Sequence, residues 1–261
     1  MWGRRRALIG LAFSLLCAPD SAQTLAPRSI AVAAASDLRF ALDEIVLAFK
    51  KANPGIEVRV SYGSSGNFFS QIANGAPFDL FFSADVDYVT KLGEQGLTLP
   101  DGHFVYGIGR IVLWTSSSSK LDVSRGLSIL VDPAVRKIAI ANPRHAPYGR
   151  AAEAALRAAK IYDAVQSKLV FGENVAQAAQ FAQTGAADAA IIAHALALSP
   201  TLQKEGRAFL IPSDQHPRLE QGGTILRRTT EPATAQAFRS FLLGPEARVI
   251  LDRFGFERPL R

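Results

Sequence analysis

The amino-acid sequence predicts an α/β protein of two lobes, each a mostly parallel sheet flanked by helices. Beyond an apolar N-terminal segment, strand-like runs alternate with amphipathic helical stripes in two successive blocks. Such alternation is typical of parallel sheets with helices on both faces. The 261 residues are enough for two modest lobes with their own cores.

The first block begins with a strand at Ile30–Ala35. A helix follows, with apolar residues at Leu42, Ile45, Val46 and Phe49, spaced i, i+3, i+4 and i+7. The other predicted elements of this block are a strand at 56–60, a helix at 65–74, a strand at 80–82, a helix capped by Asp85 that ends near Leu92, and strands at 104–108 and 111–114.

The second block repeats the pattern. Its predicted elements are a strand at 138–140, an alanine-rich helix at 150–160, a strand at 169–171, a helix with an apolar stripe at 175–182, a strand at 189–192 and an apolar stripe at 247–254. We place the crossings between lobes near Gly109 and Ile211. Lobe 1 is then 27–109 and 212–261, and lobe 2 is 110–211.

The N-terminal segment has the layout of a secretory signal. Three arginines at 4–6 precede an uncharged apolar run at 7–17, and small residues follow. We predict a signal peptide at 1–22 with cleavage near Ala22, and therefore an exported protein. Cys17 is the only cysteine, and Leu16 before it disfavours a lipid anchor. The remaining chain then has no thiol for a disulfide or a metal site.

The net charge and the distribution of basic residues argue against nucleic-acid binding. Losing three arginines and one aspartate with the signal reduces the formal charge from +6 to about +4. Beyond the signal, basic residues adjoin only in pairs such as Arg227 and Arg228, without the clusters of basic and aromatic residues that nucleic-acid binding needs. No nucleic-acid partner is predicted.

The residues that follow the strands point to anion binding. Hydroxyls, glycines and helix-initial backbone N–H groups recur there, in the segments 34–37, 63–67, 83–85, 146–149 and 172–175. Unpaired N–H groups and the helix dipole can hold an anion at a helix start without a cationic side chain. Ordinary helix caps and turns are the alternative interpretation, because the same residue types favour both.

Motifs of enzymes are missing. The glycines of Gly63–Gly66 are too close for a hydrolase nucleophile elbow, and His103, His145, His194 and His216 lack the spacing of a metal site. We predict no enzyme activity and no cofactor. A transcriptional regulator would need a helix-turn-helix before the first strand, where the signal lies.

Several segments resemble the periplasmic molybdate-binding proteins of ABC transporters. The resemblance runs in order through almost the whole chain after the signal, in segments 33–36, 62–66, 75–85, 142–149, 173–175, 243–247 and 253–256. The most specific is Gly-Ala-Pro-x-Asp-Leu-Phe-x-Ser-Ala-Asp at 75–85.

The resemblance implies a type II periplasmic-binding-protein fold with the ligand cleft between the lobes. It implies a monomer in the periplasm that takes molybdate or tungstate to a membrane permease, with molybdenum present only as molybdate. Carried over by position, the contacts are the side chains of Ser36 and Ser65 and the N–H groups of Tyr148 and Val175. Another small oxyanion, such as sulfate or phosphate, is the alternative ligand.

Further candidate contacts are Asp37 and Ser64, which flank the two serines. Some members of the family place a ligand-binding tyrosine where this chain has Ala193, followed by His194. We therefore include Ala193 and His194 as candidates for that contact.

Overall fold

The computed structural model describes residue 2 and residues 28–259. Apart from residue 2, the predicted signal segment lies outside the described residues, with Cys17 and the cleavage position. Within the described part, no helix combines the length and the apolar character needed to cross a bilayer.

The described residues form ten strands and ten α-helices. The strands are β1 Arg28–Ala35, β2 Ile56–Gly63, β3 Leu80–Ser83, β4 Phe104–Gly109, β5 Ile111–Ser116, β6 Ile138–Ala141, β7 Leu169–Gly172, β8 Ala189–Ala193, β9 Gly206–Leu210 and β10 Leu219–Ile225. The helices are α1 Arg39–Ala52, α2 Ser65–Ala73, α3 Val86–Glu94, α4 Pro147–Ala158, α5 Tyr162–Val165, α6 Val175–Gln183, α7 His194–Ala197, α8 Pro200–Glu205, α9 Pro232–Leu242 and α10 Pro245–Arg253. Shorter 3₁₀ segments lie at Ser36–Leu38, Val123–Val131, Gln166–Lys168 and Ser213–Gln215.

The strands form two five-stranded sheets within the described part. The orders are β2-β1-β3-β10-β4 and β7-β6-β8-β5-β9. The chain leaves the first sheet after Gly109, enters the second at Ile111, and returns between Leu210 and Leu219. Each sheet has an apolar core of its own, with Phe82 buried in the first and Trp114 in the second.

Both sheets are mixed, but four of the five strands of each run in the same direction, which confirms the expectation of mostly parallel sheets. In the first, β1 pairs in parallel with β2 and β3, whereas β10 pairs antiparallel with β3 and β4. The second repeats this, with β6 parallel to β7 and β8, and β5 antiparallel to β8 and β9. The one antiparallel strand of each described sheet is the strand by which the chain enters it from the other lobe, β10 in the first sheet and β5 in the second.

Three helices and a 3₁₀ turn begin where parallel strands end. The turn Ser36–Leu38 follows β1, α2 follows β2, α4 follows β6, and α6 follows β7. The predicted helix 150–160 begins earlier, at Pro147, because proline is favoured in the first turn of a helix. Ligands of open α/β sheets bind at these carboxyl ends.

Candidate functional site

A small cavity lies between the two sheets at these strand ends. Its volume is about 10 Å³, far below the range of roughly 300 to 1,000 Å³ for sites that take organic ligands. Its lining comes from both lobes: Ala35, Ser36, Asp37, Gly63, Ser64, Ser65 and Ala84 on one side, and Ala146, Pro147, Tyr148, Asn174 and Val175 on the other. The cavity is therefore closed to organic ligands and has room only for a small group.

The two serines are oriented by backbone donors. Ala84 donates its N–H to Ser65 Oγ at 3.0 Å, and Ala176 donates its N–H to Ser36 Oγ at 3.3 Å. Because each oxygen already accepts a hydrogen bond, each hydroxyl hydrogen is left to donate elsewhere. Both serines are almost completely buried.

Two helix starts supply backbone donors to the same cavity. Pro147, the first residue of α4, has no N–H, so Tyr148 carries the first N–H of that helix. In α6 the side chain of Asn174 accepts from the N–H groups of Ala176 and Gln177, both at 3.1 Å. The N–H of Val175, the first helical residue, has no carbonyl partner within its own helix.

The lining contains no lysine, arginine or histidine among the described residues. Favourable potential for an anion therefore comes from the starts of α2, α4 and α6, each equivalent to about half a positive charge. Asp37 is the one ionisable carboxyl group in this described lining.

Asp37 is held in a buried network of neutral groups. Tyr148 donates its hydroxyl to Asp37 Oδ2 at 3.0 Å, and Gln221 donates its amide to the same oxygen at 2.7 Å. Tyr106 fixes the orientation of that amide by donating to Gln221 Oε1 at 2.8 Å. Burial raises the pKa of Asp37 to about 6, although the hydrogen bonds from Gln221 and Tyr148 and the nearby backbone N–H groups of Asp37 and Leu38 partly lower it.

Ser64 joins the lobes. Its hydroxyl donates to His145 O at 2.7 Å, and its oxygen lies 2.8 Å from His145 Nδ1. Gly66 N–H also donates to His145 O, at 2.9 Å. Arg150 pairs with Asp85 across the same cleft, with 2.5 Å between Nη2 and Oδ2. The two lobes therefore touch around the cavity.

The structure does not bring Ala193 and His194 into the cavity lining. Ala193 is buried in β8, where it pairs with Ile111. His194 opens α7 and lies against Gly255, where an added Cβ would be 2.7 Å from His194 Nδ1. Burial, followed by the charge of Arg110, lowers the pKa of His194.

The other six predicted residues, from Ser36 to Val175, all line the cavity. Sequence reasoning missed Gln221 and Tyr106, which lie in strands β10 and β4 and reach the site only through the fold. No signal in the sequence marks them. Across the described ranges, no group of three or more His, Cys, Asp or Glu residues could hold a metal ion.

Known proteins resemble this chain in sequence and structure. It is 35% identical over 203 residues to the molybdate-binding protein ModA of Rhodobacter capsulatus, covering 77% of this chain and 78% of that protein. It is 33% identical over 252 residues to the molybdate-binding protein ModA of Azotobacter vinelandii, covering 96% of each.

The solved structure of the Azotobacter vinelandii periplasmic molybdate-binding protein matches with a TM-score of 0.83 at 34% identity, covering 88% of this chain and 100% of that chain. These matches confirm the predicted resemblance and the two-lobed α/β fold of type II. A family model described as bacterial extracellular solute-binding protein covers residues 30–257. The chain belongs to this family of bacterial extracellular solute-binding proteins.

Proposed function

We propose that the protein binds molybdate or tungstate between its lobes, as the solute-binding component of an ABC importer. The observation that carries this proposal is the small cavity, lined from both lobes by neutral donors without a basic side chain. The relatives at 33 to 35% identity are molybdate-binding proteins, which supports the same ligand. Membership of a solute-binding family confirms the prediction that the chain is not an enzyme.

Neutral donors can supply the affinity. Each hydrogen bond to a charged group contributes about 1.5 to 3 kcal/mol. Four of them, from the hydroxyls of Ser36 and Ser65 and the N–H groups of Tyr148 and Val175, approach the roughly 8 to 12 kcal/mol of micromolar to nanomolar binding. These groups contact the oxygens of the ion, so molybdenum enters only as molybdate.

The remaining elements of the proposal follow from this role. The protein is exported by its signal at 1–22, acts in the periplasm as a monomer, and passes the ion to a membrane permease. It needs no cofactor and no nucleic acid. Lobe 1 is 27–109 with 212–261 and lobe 2 is 110–211, so that the hinge coincides with the crossings after Gly109 and Leu210.

A thermal-shift panel on the signal-free protein tests the ligand. Molybdate, tungstate, sulfate and phosphate are compared at equal concentrations, and binding to the folded state stabilises it by about 2.7 kcal/mol at a hundredfold excess over Kd. We expect molybdate and tungstate to raise Tm. A rise with sulfate or phosphate alone would instead identify the alternative oxyanion as the ligand.

A further inference from the structure

We propose that Asp37 contacts the bound oxyanion as a neutral carboxylic acid, donating its Oδ1–H to a ligand oxygen. Binding of the ion then carries one proton into the site. This inference rests on the proposed function, because it assigns a role to Asp37 within the same cavity.

The two carboxyl oxygens of Asp37 have different surroundings. Oδ2 accepts from Tyr148 and Gln221, whereas Oδ1 is buried and has no hydrogen-bond partner among the described residues. The residue is 1% exposed and lines the cavity. An unpartnered buried carboxylate oxygen is costly, so a partner from the ligand is expected there.

The same geometry decides which oxygen carries a proton. Two hydrogens already point at Oδ2, so a third hydrogen on that oxygen would face both donors. Protonation at Oδ1 keeps both hydrogen bonds and turns the unpartnered oxygen into a donor. The proton is therefore held on the side of the carboxyl group that those donors leave open.

An ionised Asp37 beside a dianion would be opposed by like-charge repulsion, and the groups that face Asp37 carry no charge that could offset it. These groups are Tyr148 from α4, Gln221 from β10, and Tyr106 from β4, which acts through Gln221. The helix α6, which packs on the turn of Asp37, contains no ionisable residue.

Two further elements pack on this turn. The helix α7 offers His194, whose pKa is lowered by burial, so its ring is neutral near pH 7. The helix α1 offers Arg39, which is exposed and lies over the ring of Tyr62. No buried cation therefore compensates Asp37 among the described residues, and burial accordingly raises its pKa to about 6. A bound dianion raises it further.

The test measures molybdate affinity and proton uptake of the signal-free protein between about pH 6.5 and about pH 8.5. Titration calorimetry in buffers of different ionisation enthalpy counts the protons taken up. We expect the Kd of the wild type to rise towards tenfold per pH unit, with about one proton taken up per ion at the alkaline end.

Asp37→Asn is the decisive variant. Its amide oxygen can accept from Tyr148 and Gln221 while its NH₂ group donates permanently in the place of Oδ1–H. We expect D37N to bind molybdate more tightly than the wild type at about pH 8.5, with a flat pH profile and no proton uptake. Asp87→Asn, which changes an exposed carboxylate of the same lobe, is expected to keep the wild-type slope.

The outcomes separate the two proposals. Molybdate binding with the same Kd at every pH and no proton uptake would overturn the role of Asp37 and leave the proposed function intact. Binding at no pH, in a protein that melts cooperatively, would overturn the proposed function and this inference with it. A steep wild-type slope that persists in D37N would assign the proton to another group and also overturn the inference.

Discussion

At the scale of the residue, the site depends on hydroxyls whose oxygens are occupied by backbone donors. Ser36 and Ser65 each accept one N–H, from Ala176 and Ala84. A hydroxyl held in this way has fewer directions open to its hydrogen, so it is partly oriented before an anion arrives. Orientation of this kind reduces the entropy lost on binding.

Replacing either serine with alanine tests this arrangement. We expect Ser36→Ala and Ser65→Ala each to weaken molybdate binding by about 1 to 3 kcal/mol, because one donor to a charged ligand is lost. Isothermal calorimetry at fixed pH measures the change. Ser70→Ala removes an exposed hydroxyl from the same helix as Ser65 and serves as the control. Unchanged affinity in both site variants would contradict the site.

The raised pKa of Asp37 also predicts how the stability of the ligand-free protein depends on pH. The pKa rises from 3.8 to about 6 on folding, so the folded state binds the proton more tightly. The raised pKa therefore adds its whole contribution to the free energy of unfolding below pH 3.8, and this contribution is lost as pH rises through about 6. Asparagine is neutral throughout and lacks this dependence.

We expect the stability of D37N relative to the wild type to increase by roughly 2 to 3 kcal/mol between about pH 4 and about pH 8. Urea unfolding of both proteins at the two pH values gives the free energies. A difference that stays constant with pH would show that Asp37 titrates alike in the folded and unfolded states.

At the scale of the element, two helices direct their first N–H groups at one point from the same lobe. In α4, Pro147 has no N–H, so the N–H of Tyr148 is the first that the helix offers to the cavity. In α6, the side chain of Asn174 caps later residues and leaves the N–H of Val175 to the cavity. The local sequence therefore determines which donor of each helix is offered. It does not determine where the helix points.

Val175→Pro removes one such donor and keeps the helix. Proline is tolerated at the first helical position, and Asn174 before it has the extended backbone that proline requires (ψ 175°). We expect V175P to bind molybdate about 1.5 to 3 kcal/mol more weakly than V175A, which shortens the side chain but retains the N–H. Calorimetry gives both affinities, and equal values would exclude the Val175 N–H as a contact.

At the scale of the whole molecule, the cavity exists because two separately cored sheets meet. Their contact around it is close at Gly66, where an added Cβ would lie 2.6 Å from His145 O in the other lobe. Polar bridges such as Arg150 to Asp85 surround the same edge. Closure therefore depends on the absence of a side chain at position 66.

Gly66→Ala is expected to weaken molybdate binding by about 1 to 3 kcal/mol, because the methyl group holds the lobes apart. The fold of lobe 1 is expected to adjust, because the Tyr88 hydroxyl, 2.8 Å from the added Cβ, is the end of a flexible side chain, and alanine favours a helix more than glycine does by about 1 kcal/mol. Calorimetry measures the affinity and thermal melting the stability. Gly55→Ala, with no atom within 4 Å of its added Cβ, is the control. Wild-type affinity in G66A would contradict this role for closure.

Local patterns predicted most of the elements. The apolar spacing in α1, the cap at Asp85 and the short apolar runs of β3 and β6 depend on neighbours in sequence. The strand β10 was not predicted because Gly222 and Gly223 interrupt it and its polar residues are buried. An alternating pattern of apolar and polar residues identifies strands with one solvent-exposed face, and β10 has no such face.

The sequence by itself determined the two α/β blocks, the neutral donors at the strand ends and, through its resemblance to known proteins, the family. The tertiary structure alone decided that Gln221 meets Asp37 across 184 positions, that one carboxyl oxygen is left without a donor, and that His194 lies against Gly255 instead of the cavity. The reason is physical: helix starts and strand faces follow from adjacent residues, whereas the partner of a buried polar atom depends on which distant segments the sheets bring beside it.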